Sequence, residues 1–210
     1  MTNSKEVTNS EKLKVKDIIT TTLLSLVNVV VFYVCSSIYG LPILIAIFPV
    51  FVSLTQGIIF MVLGTKVPKK GAILIHTFIL GVAGLNIMYL VGFVISGIIT
   101  ELLIYKHYGD LKRLSIGYVI MQVIASFTST YYPYSIAFES TKEAIEKMGS
   151  GVEIYEEVSK MLNPGVIAIF MVFTAIAAVL GALIGCAIMK KHLINGKEIV
   201  KDELGGEAFE

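Results

Sequence analysis

The chain has 210 residues, of which 55% are hydrophobic and only 16% are charged, whereas a soluble globular domain carries about 25% charged residues. This composition excludes a soluble enzyme, and the net charge of +1 gives no basis for a nucleic-acid partner. The charges fall in short islands between long apolar runs, each close to the ~20 residues that cross a hydrocarbon core. The sequence therefore indicates an all-α integral membrane protein.

The apolar runs follow one another in chain order after a polar N-terminal arm (1–16). The first (17–38) turns directly into the second (43–64), and a long tract (71–105) comes next. This tract is too long for one span and just long enough for two short ones, with a turn near Gly84, Leu85 and Asn86. The fifth span is predicted at 114–138 and the sixth at 164–189, followed by a tail at 190–210.

The distribution of basic residues predicts the topology. Of the 17 Lys and Arg residues, only Lys142, Lys147 and Lys160 lie in the loop 139–163, where six glutamates accompany them. The other 14 fall on one side of the membrane if there are six spans, and basic clusters favour the cytoplasm. We therefore expect six transmembrane helices within a membrane domain at 17–189, both termini in the cytoplasm and one short helical extracellular loop. The first span has no small-residue cleavage site, which favours a retained signal anchor.

Two spans carry rows of small or polar residues. In the first span Thr21, Ser25 and Asn28 share a face, and Asn28 lies deep enough in the membrane to need a hydrogen-bonding partner. The sixth span has small residues at four-residue spacing, which predicts close contact with another helix, either inside the bundle or in a partner protein. Its two rows are Ala177, Gly181 and Gly185, and beside them Ala178, Ala182 and Cys186.

Single residues inside the other spans have less specific meanings. Pro49 removes a hydrogen bond from the second span, which makes either a simple kink or an irregularity suited to a pocket. Glu101 lies about one turn from Lys106, so we expect an acid near the interface or a cytoplasmic contact, not a proton relay. His76 is expected to be a hydrogen-bonded packing residue.

The loop 139–163 has the pattern of two short amphipathic helices. Ser140 followed by Glu143 has the spacing of a capping box, and Val152, Tyr155, Val158 and Leu162 recur at helical intervals. Asn163 and Pro164 are suited to begin the sixth span. The pair of helices either covers the bundle as a lid or is a solvated connector resting on the membrane surface.

A cluster of tyrosines marks the end of the fifth span in "TSTYYPYSIAFES". Tyr131, Tyr132 and Tyr134 surround Pro133 just before the acidic loop. Tyrosines anchor helix ends at membrane interfaces, and they also form ligand pockets by stacking and hydrogen bonding. The sequence leaves both alternatives open.

The chemistry of most enzymes is missing from the sequence. "GIIFMVLGTK" has the wrong glycine spacing for a nucleotide-binding loop, and there is no HExxH helix or plausible Ser-His-Asp set among the spans. We expect no enzymatic activity, no metal site and no cofactor. The scarcity of charge within the spans argues against an ion-coupled transporter. The remaining interpretation is a small receptor or channel-like subunit that takes energy from partners.

Four stretches carry a family resemblance, namely "KLKVKDIITTTLLSLVNVVVF", "GTKVPKKGAILI", "SGIITELL" and "YVIMQVIASFTSTYYPY". In this order they resemble the S components of energy-coupling-factor (ECF) transporters, of the MptD-type or Trep_Strep subgroup, over about residues 12–191. The resemblance implies a multi-pass protein of the bacterial plasma membrane that captures a micronutrient outside. It also implies docking to a transmembrane coupling subunit that bears two cytoplasmic ATPases.

The resemblance further implies roles for individual residues. Docking would use small-residue faces, here Thr21 and Ser25 of the first span, with Ala177 and Gly181 of the sixth. Substrates in the family include vitamins, their precursors, metal ions and heme, and the lack of a histidine-rich N-terminus disfavours metal ions. Heme would be ligated by one of the three tyrosines or by Met88 or Cys35, and a flat vitamin would stack on the same tyrosines. The candidate substrate-binding set is Pro49, Asn86, Met88, Tyr89, Tyr131, Tyr132 and Tyr134.

One alternative belongs to another functional class. A structural or regulatory membrane protein without its own ligand would also be apolar and would pack within a larger complex. Its tyrosines would serve only as interfacial anchors.

Overall fold

The computed structural model describes residues 12–37, 40–147, 149 and 152–206. Over these residues the chain is helical without strands, which confirms the all-α class. Most of the arm 1–16 and the last four residues of the tail 190–210 lie outside the described part. The helices are α1 (Val15–Ser36), α2 (Pro42–Lys66), α3 (Ala72–Ala83), α4 (Ile87–Ile104), α5 (Leu111–Ser126), a π-helical segment (Phe127–Tyr131), α6 (Tyr132–Tyr134), α7 (Phe138–Lys147), α8 (Glu153–Met161) and α9 (Pro164–Gly206).

Five of the described helical stretches are long and apolar enough to cross a membrane. They are Val15–Ser36, Pro42–Lys66, Ile87–Ile104, Leu111–Tyr134 and Pro164–Lys191. The tract 71–105 divides where the sequence predicts, because Leu85 takes a left-handed conformation with φ of 52° and Asn86 caps α4 by accepting from the Met88 N–H at 2.8 Å. The helix before this turn, α3, has only 12 residues, or about 18 Å of helix.

The small-residue rows of α9 lie against α2. A Cβ built on Gly57 would stand 2.5 Å from the backbone carbon of Gly181, and one built on Gly181 would stand 2.5 Å from the Leu54 carbonyl oxygen. Ala178 and Ala182 are fully buried in the same region. The structure therefore confirms that these rows pack inside the bundle, one of the two alternatives that the sequence left open. The α9 helix also continues beyond the predicted end of the sixth span, to Gly206.

The predicted fifth span, which the structure places at Leu111–Tyr134, is bent at its end by a change of helical pitch. The Tyr132 N–H donates to the Phe127 carbonyl, one residue further back than in an α-helix, which makes a π-turn. Pro133 follows at once and has no N–H to continue the ladder, so the helix stops at Tyr134. By contrast, Pro49 lies within an unbroken α2.

Two short helices, α7 and α8, form in the segment 139–163 and together are called the cover below. The predicted capping box at Ser140 is wrong, because α7 begins earlier, at Phe138. The Ser140 hydroxyl instead donates to the Ala137 carbonyl at 2.9 Å. The predicted start of α9 is confirmed, since Asn163 Oδ1 accepts from the Val166 N–H at 3.0 Å and Pro164 takes the first position.

Candidate functional site

A cavity lies beneath the cover. This main cavity has a volume of about 480 Å³, within the range of ligand pockets. Four parts of the chain meet around it: the turn between α3 and α4, the bent end of the fifth span, α7 and α8. The residues that line it are Gly84, Leu85, Asn86, Ile87, Met88, Tyr132, Pro133, Tyr134, Ala137, Ser140, Thr141, Ala144, Ile145 and Tyr155.

The three clustered tyrosines do not act as one group. Tyr132 and Tyr134 line the main cavity. Tyr131 is fully buried elsewhere, with its hydroxyl donating to the Ala46 carbonyl at 3.3 Å and its ring parallel to that of Phe170. Neighbouring residues of a helix point about 100° apart, so adjacent tyrosines face different sides. Tyr131 therefore joins the end of the fifth span to α2 and α9 and does not line the cavity.

A residue of the cover completes the aromatic wall. The rings of Tyr134 and Tyr155 are stacked with centroids 5.5 Å apart and planes inclined by 13°. Tyr155 was not among the predicted site residues. Its helical spacing with Val158 in α8 indicated an amphipathic helix, either a lid over the bundle or a connector on the membrane surface, and Val158 is fully buried. The pair ties the cover to the end of the fifth span.

The remaining predicted residues lie along smaller spaces that lead inward. Asn86 and Tyr134 line both the main cavity and a second one of about 270 Å³. Tyr89 lines this second cavity and a third of about 20 Å³, large enough for roughly one water molecule. Pro49 lines only the third. Shared wall residues thus place the three spaces side by side, from the cover to the bundle interior, and Met88 is at the main cavity, 41% exposed.

Gln122, which lines the third cavity, begins a buried polar network. Its amide nitrogen donates to Gln56 Oε1 at 3.2 Å and to the Tyr118 hydroxyl at 3.0 Å. The Tyr118 hydroxyl donates onward to the Ser53 carbonyl at 2.6 Å. The sequence reasoning missed both glutamines, although an amide in an apolar span needs a partner just as Asn28 does.

The network continues to α1 and α3. Gln56 Nε2 donates to the backbone carbonyl of Asn28 at 3.5 Å, and the Asn28 side-chain nitrogen donates to His76 Nε2 at 3.3 Å. Because the Asn28 amide nitrogen can only donate, His76 Nε2 accepts. The imidazole is therefore neutral, with its proton on Nδ1. The Nδ1–H donates to Ser25 Oγ at 2.9 Å, and Ser25 donates to the Thr21 carbonyl at 2.7 Å. Asn28 has the partner that the sequence predicts, and His76 is a hydrogen-bonded packing residue.

The residues proposed for docking lie inside the bundle. Thr21 and Ser25 are 0% exposed, because α1 turns its polar stripe toward His76 and its apolar side outward. Ala177 is 6% exposed, and Gly181 meets the backbone of α2. These four residues are therefore corrected from surface positions to interior contacts.

Charged groups surround the cavity but do not line it. Lys142 Nζ in α7 pairs with Glu156 Oε1 in α8 at 2.5 Å. The hydrogen bond and the opposite charge raise the pKa of Lys142 and lower the pKa of Glu156.

Glu101, expected near the interface, is 7% exposed, and its Oε1 accepts from the Gly71 N–H at 2.7 Å at the start of α3.

No cluster of three or more His, Cys, Asp or Glu side chains suited to a metal ion occurs among the residues that the structure describes. The chemistry available at the cavity is therefore stacking on aromatic rings together with neutral hydrogen bonds. These interactions are suited to binding and orienting a molecule, and among the described residues that line the cavity no nucleophile is paired with a base.

Comparison with known proteins identifies the family of the chain. The model of a family of hypothetical bacterial integral membrane proteins (Trep_Strep) matches residues 15–195. No curated protein and no solved structure matches the chain. The match covers all the long apolar helices, which agrees with a multi-pass membrane protein. The chain belongs to the Trep_Strep family of bacterial integral membrane proteins.

Proposed function

We propose that the chain is the substrate-binding S component of an ECF-type ABC importer, which captures a micronutrient outside the cell and delivers it inward. The observation that carries this proposal is the main cavity, closed on one side by the cover and lined by Tyr132, Tyr134 and Tyr155. A protein that served only as a packing element would have no need of an aromatic cavity that leads toward a buried polar network.

The proposal includes six spans with both termini in the cytoplasm. The short helix α3 counts as a crossing, which a locally thinned bilayer accommodates. Its partner in the hairpin, α4, is long enough to return. The basic residues at the α2–α3 and α4–α5 connections then face the cytoplasm, and the cover and main cavity face outward. These residues are Lys66, Lys69, Lys70, Lys106, Lys112 and Arg113.

Energy for transport would come from partners. The proposed partners are a transmembrane coupling subunit and two cytoplasmic ATPases, since the chain has no nucleotide-binding motif. Because Thr21 and Ser25 are interior, the coupling subunit must meet another face. Among the long helices, α1 has the smallest buried share, 17%, and its exposed apolar side includes Leu23, Val30 and Val34. This side is our proposed docking face.

The resemblance to ECF S components gives two substrate classes for this proposal. Heme would be ligated by Tyr132, Tyr134 or Met88, since tyrosine is a known haem ligand, and a flat vitamin-like compound would stack on the same rings. The test is to purify the full chain and record the absorbance and mass spectra of what accompanies it. A Soret band indicates heme, and a small organic compound indicates a vitamin.

Transport is tested separately by uptake in cells that express the chain with coupling subunits and ATPases. Uptake that depends on Tyr134 and Tyr155 supports an S component. If no compound accompanies the protein and no uptake depends on it, the chain is a structural or regulatory membrane protein.

A further inference from the structure

We infer that the cargo is a planar ring compound that carries no net charge. This inference rests on the proposed function and names the substrate class of the same site. It starts from the chemistry of the cavity walls. All the described residues that line the main, second and third cavities are uncharged.

The charges of the cover do not enter these walls. Lys142 and Glu156 neutralise each other across α7 and α8. Lys147 and Glu143 have side chains exposed by 80% and 72%, so they lie in solvent. An anionic group that entered the cavity would lose water without gaining a cation, and burying an unpaired charge is costly.

The wall offers aromatic faces and edges for a ring. Tyr134 and Tyr155 form a nearly parallel pair, and Tyr132 stands beside them in the lining. Aromatic side chains bind flat rings by stacking, as they do in single-stranded nucleic-acid sites. A flat ring therefore gains more here than a flexible chain of the same size.

The polar groups of the wall are neutral, and they include both hydrogen-bond donors and hydrogen-bond acceptors. Asn86 uses its Oδ1 on the Met88 N–H, which leaves its amide NH₂ to donate to a ligand. Ser140 and Thr141 both donate their hydroxyl hydrogens to the Ala137 carbonyl at 2.9 Å, so toward a ligand their oxygens accept. A neutral ring with both donor and acceptor atoms on its edge matches this set.

The test presents the full chain in lipid nanodiscs with an equimolar mixture of matched compounds. The pairs are riboflavin with FMN, pyridoxine with pyridoxal phosphate, and nicotinamide with nicotinate, and hemin is added as an anionic porphyrin. After gel filtration, mass spectrometry measures what the protein retains. We expect at least one neutral member to be retained, with its anionic counterpart retained about a hundredfold less.

Two variants and a control locate the binding. Tyr134→Ala combined with Tyr155→Ala should lower retention of the neutral compound about tenfold or more. Thr141→Lys should raise retention of the anionic counterpart, because it supplies the missing cation. Leu183→Ala changes a side chain that is 56% exposed on the outer side of α9 and should change nothing. Thr141→Lys keeps the test decisive if the double variant does not fold.

Several results would overturn the inference. They are retention of hemin or of an anionic member at least as strongly as the neutral ones, full retention by the double variant, and retention of none of the compounds. The transport proposal stands or falls on the uptake assay, so a retained anion together with normal uptake would reject the substrate class alone.

Discussion

The contact between α2 and α9 gives a sharp prediction about stability. Gly57→Ala adds a methyl group that would stand 2.5 Å from the backbone carbon of Gly181 and 2.8 Å from the backbone nitrogen of Ala182. Carbon atoms at rest lie about 3.5 Å apart or more, so the two helices must separate by about 1 Å. Backbone atoms cannot rotate away as a side chain can.

The magnitude follows from two opposing effects. Overpacking of this kind costs about 1–3 kcal/mol, and replacing Gly by Ala within a helix returns up to about 1 kcal/mol. We therefore expect Gly57→Ala to lower the free energy of unfolding by about 1–2 kcal/mol. The movement would also displace Gln56, the neighbouring residue that links Gln122 to Asn28.

A second glycine of α2 is the matched control. A methyl group on Gly64 would meet only the side-chain carbons of Leu114, which can move, so Gly64→Ala should be close to neutral. The assay is equilibrium unfolding in mixed micelles followed by circular dichroism. A Gly57→Ala protein as stable as the wild type, or a larger loss in Gly64→Ala, would refute the reasoning.

Two further predictions concern the cover and the polar network. The pair that lowers the pKa of Glu156 and raises that of Lys142 stabilises the cover at neutral pH. Its contribution is lost as the pH falls through the folded-state pKa of Glu156 or rises through that of Lys142. The protection factors of the α7 and α8 amides, which correct hydrogen exchange for its intrinsic pH dependence, should therefore fall in acid in the wild type, and Glu156→Gln should remove this dependence; an unchanged acid profile in that variant would contradict the assignment. His76→Ala leaves the buried Asn28 side-chain nitrogen without a partner and removes the donor to Ser25 Oγ, and it should cost about 1–3 kcal/mol in the unfolding assay, whereas His107→Ala, at an exposed connection, should cost little; equal losses would argue against the network.

Much of the helical layout could be predicted because hydropathy and charge act over whole segments. The turn at Leu85 and Asn86 followed from the length of the tract 71–105 together with the basic clusters at both of its ends, and it already left α3 short. The way in which α3 begins could not be predicted, because Gly71 precedes it in a left-handed conformation with φ of 91°. Glu101 accepts hydrogen bonds from the backbone at that point, an arrangement between distant residues that local sequence does not reveal.

The candidate site was only partly predictable. The tyrosine cluster and Asn86 stood out by composition and position, and the structure brings most of them to one cavity. The sequence reasoning assigned Tyr131 the same role as Tyr132, because the cluster alone does not show which side of the helix faces the cavity. Tyr155 comes from another helix. Its amphipathic pattern indicated a buried face but not the partner that this face meets.

The docking residues show the limit of resemblance. Thr21 and Ser25 are small enough for close helix approach, but their hydroxyls also suit the interior of the bundle, where Ser25 bonds to His76. A size rule alone cannot separate these two uses. The position of a hydrogen-bonding partner on α3 decides between them.

Whether the chain is a transport subunit is decided by uptake in cells that express it together with coupling subunits and ATPases, using the compound that accompanies the purified protein. We expect uptake that requires the chain and falls about tenfold or more in the Tyr134→Ala/Tyr155→Ala variant, with normal amounts of protein in the membrane. Leu183→Ala should transport normally. Undiminished uptake by the double variant, or no dependence on the chain at all, would show that the cavity beneath the cover does not carry transport.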